Sequence, residues 1–274
     1  MTTTTEPAKR TGAAQGDLWS ERSEDWSATG SQEACMRPLF EAGLSALQIG
    51  AGTQLLDAGC GAGLALSMAA ALGADVSGVD AAAGMIAIAR RRVPSARIEQ
   101  GDLEDLPFAD GSFDAVAGFN SFQYAASPEG ALREARRVLR PGGRLVAATW
   151  APPEMCDLAG HIAAVGRLLP PPPAGAPGPF ALSSDGALAA LLAAVGLEPQ
   201  ETRDVVCRFD YASDDEALRA MISAGPCVRA ARHAGEDATR KALLESVAPY
   251  RQGDGSYRIA NAFRFTLATR PATS

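Results

Sequence analysis

With 274 residues, 47% of them hydrophobic and 21% charged, the chain can bury a sizeable core, and one core domain carrying an insertion is the expected organisation. A net charge of −7, with lysine only at Lys9 and Lys241, speaks against a nucleic-acid surface, because phosphate backbones are gripped by clustered Lys and Arg. No apolar run approaches the roughly 20 residues a membrane span needs, and scattered cysteines (Cys35, Cys60, Cys156, Cys207, Cys227) with only His161 and His233 leave little material for a disulfide framework or a metal site.

The opening MTTTTEPAKRTGAAQGD is Thr-rich and polar and lacks the apolar segment of a secretory signal, so residues 1–16 are expected to be a disordered leader on a soluble, cytoplasmic protein. Residues 17–52 read as a helical lid segment, amphipathic over 32–48, with Pro38 marking a kink or a break. From 53 to 150 short apolar runs (TQLLDA, ADVSGVD, ARIEQGD, FDAVAGF, GRLVAATW) alternate with helical patterns near 62–72, 83–92 and 129–139, which predicts a parallel sheet covered by helices. Ser127 is placed to cap the third helix and Pro128 suits its first position, while RPGG at 140–143 stops it and turns into the fifth strand. The basic stretches ARRRV (89–93) and LREARRVLR (132–140) read as helices whose arginines occupy the solvated face.

LLPPPPAGAPGPF is Pro- and Gly-rich enough for a stiff surface loop. A helix over 184–195 and the strand ETRDVVCRFDY complete a core of residues 53–212. Residues 213–250 form a helical insertion that opens with the capping box Ser213 to Glu216. Residues 251–274 carry the final strand and tail, with Tyr257, Ile259, Phe263, Phe265 and Leu267 alternating around an expected irregularity near Asn261.

The stretch LLDAGCGAGLA (55–65) sets an acid and three glycines behind two leucines. A loop that leaves a buried strand and enters a helix presents unpaired N–H groups, and glycine lets a ligand lie against the main chain. Gly59, Gly61 and Gly63 are spaced G-x-G-x-G; the dinucleotide fingerprint G-x-G-x-x-G is not met, since Leu64 stands where its third glycine would be. The second strand ends in Asp80, where an acid can accept from both hydroxyls of a ribose, and the third runs into Asp102 of QGDLEDLPF, where a carboxylate can take an adenine amino group beside the apolar Leu103. Asp57, Asp80 and Asp102 thus mark three successive carboxyl ends of a parallel sheet, around a ligand with adenine, a ribose and no compulsory phosphate. Acids at its positively charged end suit an amino group and a sulfonium.

Together the segments LLDAGCGAG, GVDAAAGMIAIARRR, GDLEDLPFADGSFDAVAGFNSFQY and ALREARRVLRPGGRLVAATW resemble the core of class I S-adenosylmethionine (SAM)-dependent methyltransferases, specifically the methyltransferase type 11 group that includes ubiquinone and menaquinone biosynthesis enzymes. The resemblance runs over about residues 53–150. It implies an α/β, Rossmann-like doubly wound sheet, mostly parallel with an antiparallel last strand, helices on both faces and the helical insertion between the last two strands. It also implies that Asp57 and the glycine loop meet the methionyl end, Asp80 the ribose, Asp102 with Leu103 the adenine, and Phe119 and Asn120 the surroundings of the sulfonium. The expected cofactor-binding set is Asp57, Gly59, Cys60, Gly61, Gly63, Asp80, Ala81, Asp102, Leu103, Asn120 and Trp26. Many relatives place a histidine shortly after the fourth strand; here Gln123 of FNSFQY puts histidine-assisted proton removal in doubt.

A sulfonium methyl is already activated, so the protein's task is to hold an acceptor in line and keep water out, and no catalytic side chain is singled out. Trp19, Gln123, Tyr124 and His161 are the candidates to face the acceptor; for Trp19, Trp26 and His161 ordinary packing is the competing role. The expected activity is transfer of a methyl group from SAM to O, N or C of a small-molecule metabolite, in specialised metabolism, with no metal, nucleic acid or membrane as partner and room for a homodimer. A nicotinamide-dependent oxidoreductase and a non-catalytic SAM-binding regulatory or assembly protein are the alternatives.

Overall fold

A computed structural model of the chain describes residues 11–171 and 178–272. The proline-rich loop expected around 168–180 falls partly, at 172–177, outside the described residues, as does most of the expected leader. Residues 12–16, assigned to that leader, instead open helix α1 (Gly12–Ser20). Its Gly12 and Gly16 lie against Asp102 and the Ala81 carbonyl, so packing on the sheet's ligand-side loops orders a segment whose composition is that of a tail. Next come α2 (Ser23–Ser27), α3 (Gln32–Cys35) and α4 (Arg37–Ala46), the expected helix at 32–48 being broken at Met36 with Pro38 in the first turn of α4.

The core alternates as expected: β1 (Gln54–Ala58), α5 (Leu64–Ala71), β2 (Asp75–Asp80), α6 (Ala83–Arg92), β3 (Arg97–Gln100), β4 (Phe113–Phe119), α7 (Pro128–Val138) and β5 (Leu139–Trp150). After α8 (Ala159–Arg167) and α9 (Ala187–Ala194), the long strands β6 (Glu198–Tyr211) and β7 (Tyr257–Thr269) flank α10 (Asp214–Ile222), α11 (Gly225–Ala234) and α12 (Glu236–Val247). The seven-stranded sheet runs β3-β2-β1-β4-β5-β7-β6, with β7 antiparallel to both neighbours. This is the Rossmann-like arrangement expected. Neighbouring strand residues feed opposite layers: Leu55, Ala115 and Val146 join one apolar cluster, Leu56, Val116 and Ala147 the other, as burial on both faces of a parallel sheet requires.

Local signals explain the element ends. Ser127 Oγ accepts from Gly130 N at 3.0 Å to cap α7, and Ser213 Oγ accepts from Glu216 N at 3.3 Å to cap α10. The RPGG segment is looped out within β5, since the β4 pairing jumps from Phe113↔Leu139 to Ala115↔Arg144.

Two expectations need correction. The β6–β7 register is continuous past Asn261 and shifts only between Pro199 and Glu201. Asn261 keeps the inward position of its strand because its Oδ1 accepts from Leu158 N at 2.9 Å, the cap of α8, so a polar residue stands in an apolar row without bending it. The basic runs are not simply solvated either. Arg92 donates to Ala62 O and Arg90 to Ile98 O, and Arg137 reaches the Leu106 and Phe108 carbonyls, while Arg90 and Arg91 stay largely exposed. Long guanidinium side chains carry several donors, which here reach main-chain carbonyls from a solvated position.

Replacing Asn261 by Ala strips the fully buried Leu158 N–H of its acceptor and should destabilise the protein by about 1–3 kcal/mol, the cost of an unsatisfied buried donor. A urea midpoint unchanged from wild type would show that the bond contributes nothing.

Candidate functional site

Beyond the carboxyl end of β1 the glycine loop is tied to β2, Gly59 N and Cys60 N both donating to Val79 O, at 2.8 and 3.0 Å. Gly59 and Gly63 are required where they stand. Both have φ of +83°, and a Cβ on Gly59 would fall 2.4 Å from Ser121 Cβ, one on Gly63 3.0 Å from Ala89 Cβ. Ser121 in turn donates from Oγ to Ala58 O at 2.6 Å, joining the ends of β1 and β4.

The far side of the loop is fastened by two residues that sequence reasoning missed. Glu33 of α3 accepts from Leu64 N at 3.2 Å, supplying the cap that Gly63 cannot give α5, and pairs with Arg92 at 2.8 Å. Arg92 Nη1 also donates to Ala62 O at 2.8 Å. Burial pushes the Glu33 carboxyl up and Arg92 pulls it back. The available signal was an acid and an arginine standing inside apolar helical patterns.

The three strand-end acids differ in circumstance. Asp57 is buried, its Oδ1 has no hydrogen-bond partner, and burial, then the charges of Asp80 and Glu33, push its carboxyl up to about 8. Asp80 accepts from Gly61 N at 2.9 Å and from Ala82 N at 2.8 Å; burial raises its carboxyl while these backbone bonds hold it down. Asp102 accepts from Glu104 N at 2.9 Å.

Above these ends opens a cleft partly continuous with solvent. Of the residues expected at the site, Gly59, Gly61, Asp80, Ala81, Asp102, Leu103, Asn120, Trp19, Trp26 and Tyr124 line it. The loop and strand ends bring these together from β1, β2, β3 and β4, while α1 and α2 contribute the tryptophans and the 3₁₀ turn at Phe122–Tyr124 the tyrosine. Thr11, Gly12, Gln15 and Gly16 also line it, unforeseen because residues 1–16 were assigned to a leader, and so do Met36 and Ser121.

Five expected residues stand off the cleft wall. Cys60 packs its thiol under Gly78, where a Cβ would lie 2.9 Å from Sγ, and Gly63 serves the contact with α6. Asp57 lies beneath the loop. Gln123 does not line the cleft but donates from Nε2 to Asn120 Oδ1. His161 is buried among α8, α11 and α12, with Nδ1 3.3 Å from Ser246 Oγ and Nε2 3.8 Å from Cys227 Sγ. Burial brings its pKa down to about 4, so it is neutral at ordinary pH and packs as a core residue away from the acceptor. Among the described residues no group of three His, Cys, Asp or Glu is placed to hold a metal ion.

Residues 56–147 match the methyltransferase domain family model. These residues form a methyltransferase domain with SAM as its cofactor. Over 110 residues the chain is 41% identical to a demethylmenaquinone methyltransferase of Beutenbergia cavernae, covering 40% of this chain and 46% of that protein. Over 109 residues it is 44% identical to an uncharacterised 37.1 kDa protein in transposon TN4556 of Streptomyces fradiae, covering 38% and 32% respectively. The matches therefore span less than half the length of these curated relatives. The methyltransferase domain's fold recurs in solved structures: the 4+2 cyclase SpnF, at TM-score 0.57 and 22% identity over 88% of this chain and 83% of that one, and geranyl diphosphate C-methyltransferase of Streptomyces coelicolor, at 0.56 and 18% over 97% and 100%.

The domain's residues fit the cofactor. Asp57 holds an unpartnered buried oxygen beneath the glycine loop, and a cation in the cleft above it would favour the ionised acid that burial disfavours.

A folded-state value near 8 against 3.8 for a free carboxyl means that the unliganded protein keeps a proton on Asp57 that the unfolded chain loses. Stability must then fall as pH rises from about 4 to about 8 and level off above. Asp57→Asn, which keeps the shape and cannot ionise, should flatten the fall in thermal midpoint across that window. Parallel profiles for variant and wild type would exclude the buried acid as its source.

Proposed function

We propose that the chain is a methyltransferase that moves the methyl group of SAM to O, N or C of a small-molecule metabolite, working as a cytoplasmic enzyme of specialised metabolism. The observation that carries the reading is the Asp80 carboxylate, bonded to Gly61 N–H across the cleft with lone pairs to spare for a ribose diol. Asp102 accepts from the adenine amino group beside Leu103, the glycine loop lets the methionyl end lie against the main chain, and the Asp57 acid beneath that loop attracts the ammonium by charge rather than by contact.

When bound, SAM supplies a methyl carbon activated by its sulfonium. The protein's part is placement: Phe119 and Asn120 at the end of β4 border the transfer site, and the rings of Trp19, Trp26 and Tyr124 exclude water from it. The sulfur–methyl bond breaks with its electron pair kept by sulfur, an acceptor–methyl bond forms, and any acceptor proton leaves to solvent. Burial holds the Tyr124 phenol up at about 12, so it stays protonated and acts as a donor rather than a base. No described histidine lines the cleft, which fits an acceptor that needs no strong base.

Relatives named demethylmenaquinone methyltransferase and a neighbour named geranyl diphosphate C-methyltransferase support a small-molecule acceptor. The cyclase among the neighbours is a reminder that the fold alone does not choose the chemistry, so a non-catalytic or non-methylating SAM protein is the second reading. The nicotinamide alternative loses ground to the family match and to the glycine spacing.

Isothermal titration should show binding of SAM and S-adenosylhomocysteine and none of NADH. Asp80→Ala should weaken the nucleoside by about 10–100-fold, as loss of hydrogen bonds to a charged group implies. Binding of NADH without SAM would overturn the reading; SAM binding with no labelled methyl transferred to any fraction of a cell extract would favour the second.

A further inference from the structure

The walls of the cleft also describe the methyl acceptor, an inference that rests on the methyltransferase reading. Trp19 meets Trp26 edge to face, with ring centroids 4.9 Å apart at 83°, and meets Tyr124 in the same way at 5.6 Å and 73°. All three rings line the cleft. Trp19 is fixed from behind by Gly225 of α11, where a Cβ would come within 2.7 Å of Nε1, so the aromatic wall is seated and not free to swing. Trp26 approaches Gly61 of the cofactor loop, which leaves Trp19 and Tyr124 to face the acceptor.

One polar group on this wall has its direction set by a neighbour. Asn120 sits at φ +55° immediately after β4, and its Oδ1 accepts from Gln123 Nε2. Gln123 Oε1 is buried without a partner. Turning both amides over would put an NH₂ group in that buried position with neither proton bonded, and an orphaned donor is tolerated less well than an under-satisfied carbonyl. The Asn120 carboxamide therefore turns its oxygen to Gln123 and its NH₂ group, which has no protein partner, to the cleft. That NH₂ group is a donor on the cleft wall, and a donor selects lone pairs of oxygen.

Charge narrows the choice further. Apart from Tyr124, the titratable groups among the described lining residues are Asp80 and Asp102, and no lysine, arginine or histidine is among them. A phosphate or carboxylate on the acceptor would find no described cation among the lining residues to pair with.

We propose that the acceptor is an uncharged, ring-bearing compound with a hydroxyl or carbonyl oxygen, held by stacking on Trp19 and Tyr124, and that Asn120 is the residue that selects the oxygen. The test uses the full chain saturated with S-adenosylhomocysteine and titrated calorimetrically with 2-naphthol and with 2-naphthyl phosphate, in wild type and in Asn120→Gly. Glycine tolerates the +55° backbone, so the substitution removes the amide without straining the turn. Naphthol should bind and the phosphate should bind about tenfold more weakly or not at all, while Asn120→Gly, saturated with S-adenosylhomocysteine at its own measured affinity, should weaken naphthol about fivefold. Phosphate binding as tight as naphthol, no binding of either probe, or an unchanged naphthol affinity in the variant each overturns the proposal while leaving the methyltransferase reading intact. Failure of S-adenosylhomocysteine itself to bind overturns both, and the first step of the titration reveals it separately.

Discussion

The molecule is organised around an electrostatic imbalance under the glycine loop. Asp57, Asp80 and Glu33 interact there as like charges, each pushed up by burial, and a single guanidinium, Arg92, pairs with one of them. Removing carboxylates from water is costly unless each finds a partner, and a protein core built only for stability would replace them by apolar residues. Asp80 is compensated by backbone N–H groups and Glu33 by Arg92, but Asp57 keeps an empty oxygen. The site is thus left short of positive charge, which a cofactor with an ammonium and a sulfonium brings with it. Binding and local stability are the same free energy seen from two sides.

That economy explains which parts of the structure were legible in advance. The alternation of short apolar runs with helical periods read out β1 to β5 and the helices between them, α6 over its full 83–92, because a parallel sheet buried on both faces leaves little freedom for other patterns. The acids at the ends of β1 and β2 and just past β3 were readable because Asp at those positions answers to ligand chemistry as much as to turns. What escaped were features decided by tertiary contact. Gly12 and Gly16 look like tail composition until Asp102 and Ala81 are set against them, and Arg92 looks solvated until the Ala62 carbonyl is placed within its reach. Cys60 and Gly63 sit inside the motif, yet a strand-to-helix loop alternates its residues between cleft and sheet, and spacing alone does not say which way each one turns. His161, for which ordinary packing was the competing role, lies buried off the cleft beside Ser246, where burial brings its pKa down.

The two halves of the cleft are built by different parts of the chain. The cofactor side comes from β1 to β4, within the segment that matches the methyltransferase family. The wall facing it comes from α1 and α2, with the turn after β4, and is braced by α11 of the insertion between β6 and β7. Substitutions on α11 act on the wall through Trp19 without touching an acid or a glycine of the loop.

The bracing also has a cost that limits such change. Gly225 cannot gain a Cβ without moving Trp19, and Trp19 carries the edge contacts to both Trp26 and Tyr124. A shift in α11 therefore moves all three rings together, because close-packed aromatic clusters are displaced as units rather than deformed. The β6–β7 hairpin that carries the insertion is paired from Tyr211↔Tyr257 inward, and Asp214 and Arg251 tie its two ends at 3.2 Å, so α10 to α12 hang from a stiff base. In the proposed transfer the aromatic wall is in this way referred back to the sheet that carries the glycine loop, which is the condition for an in-line reaction that relies on placement.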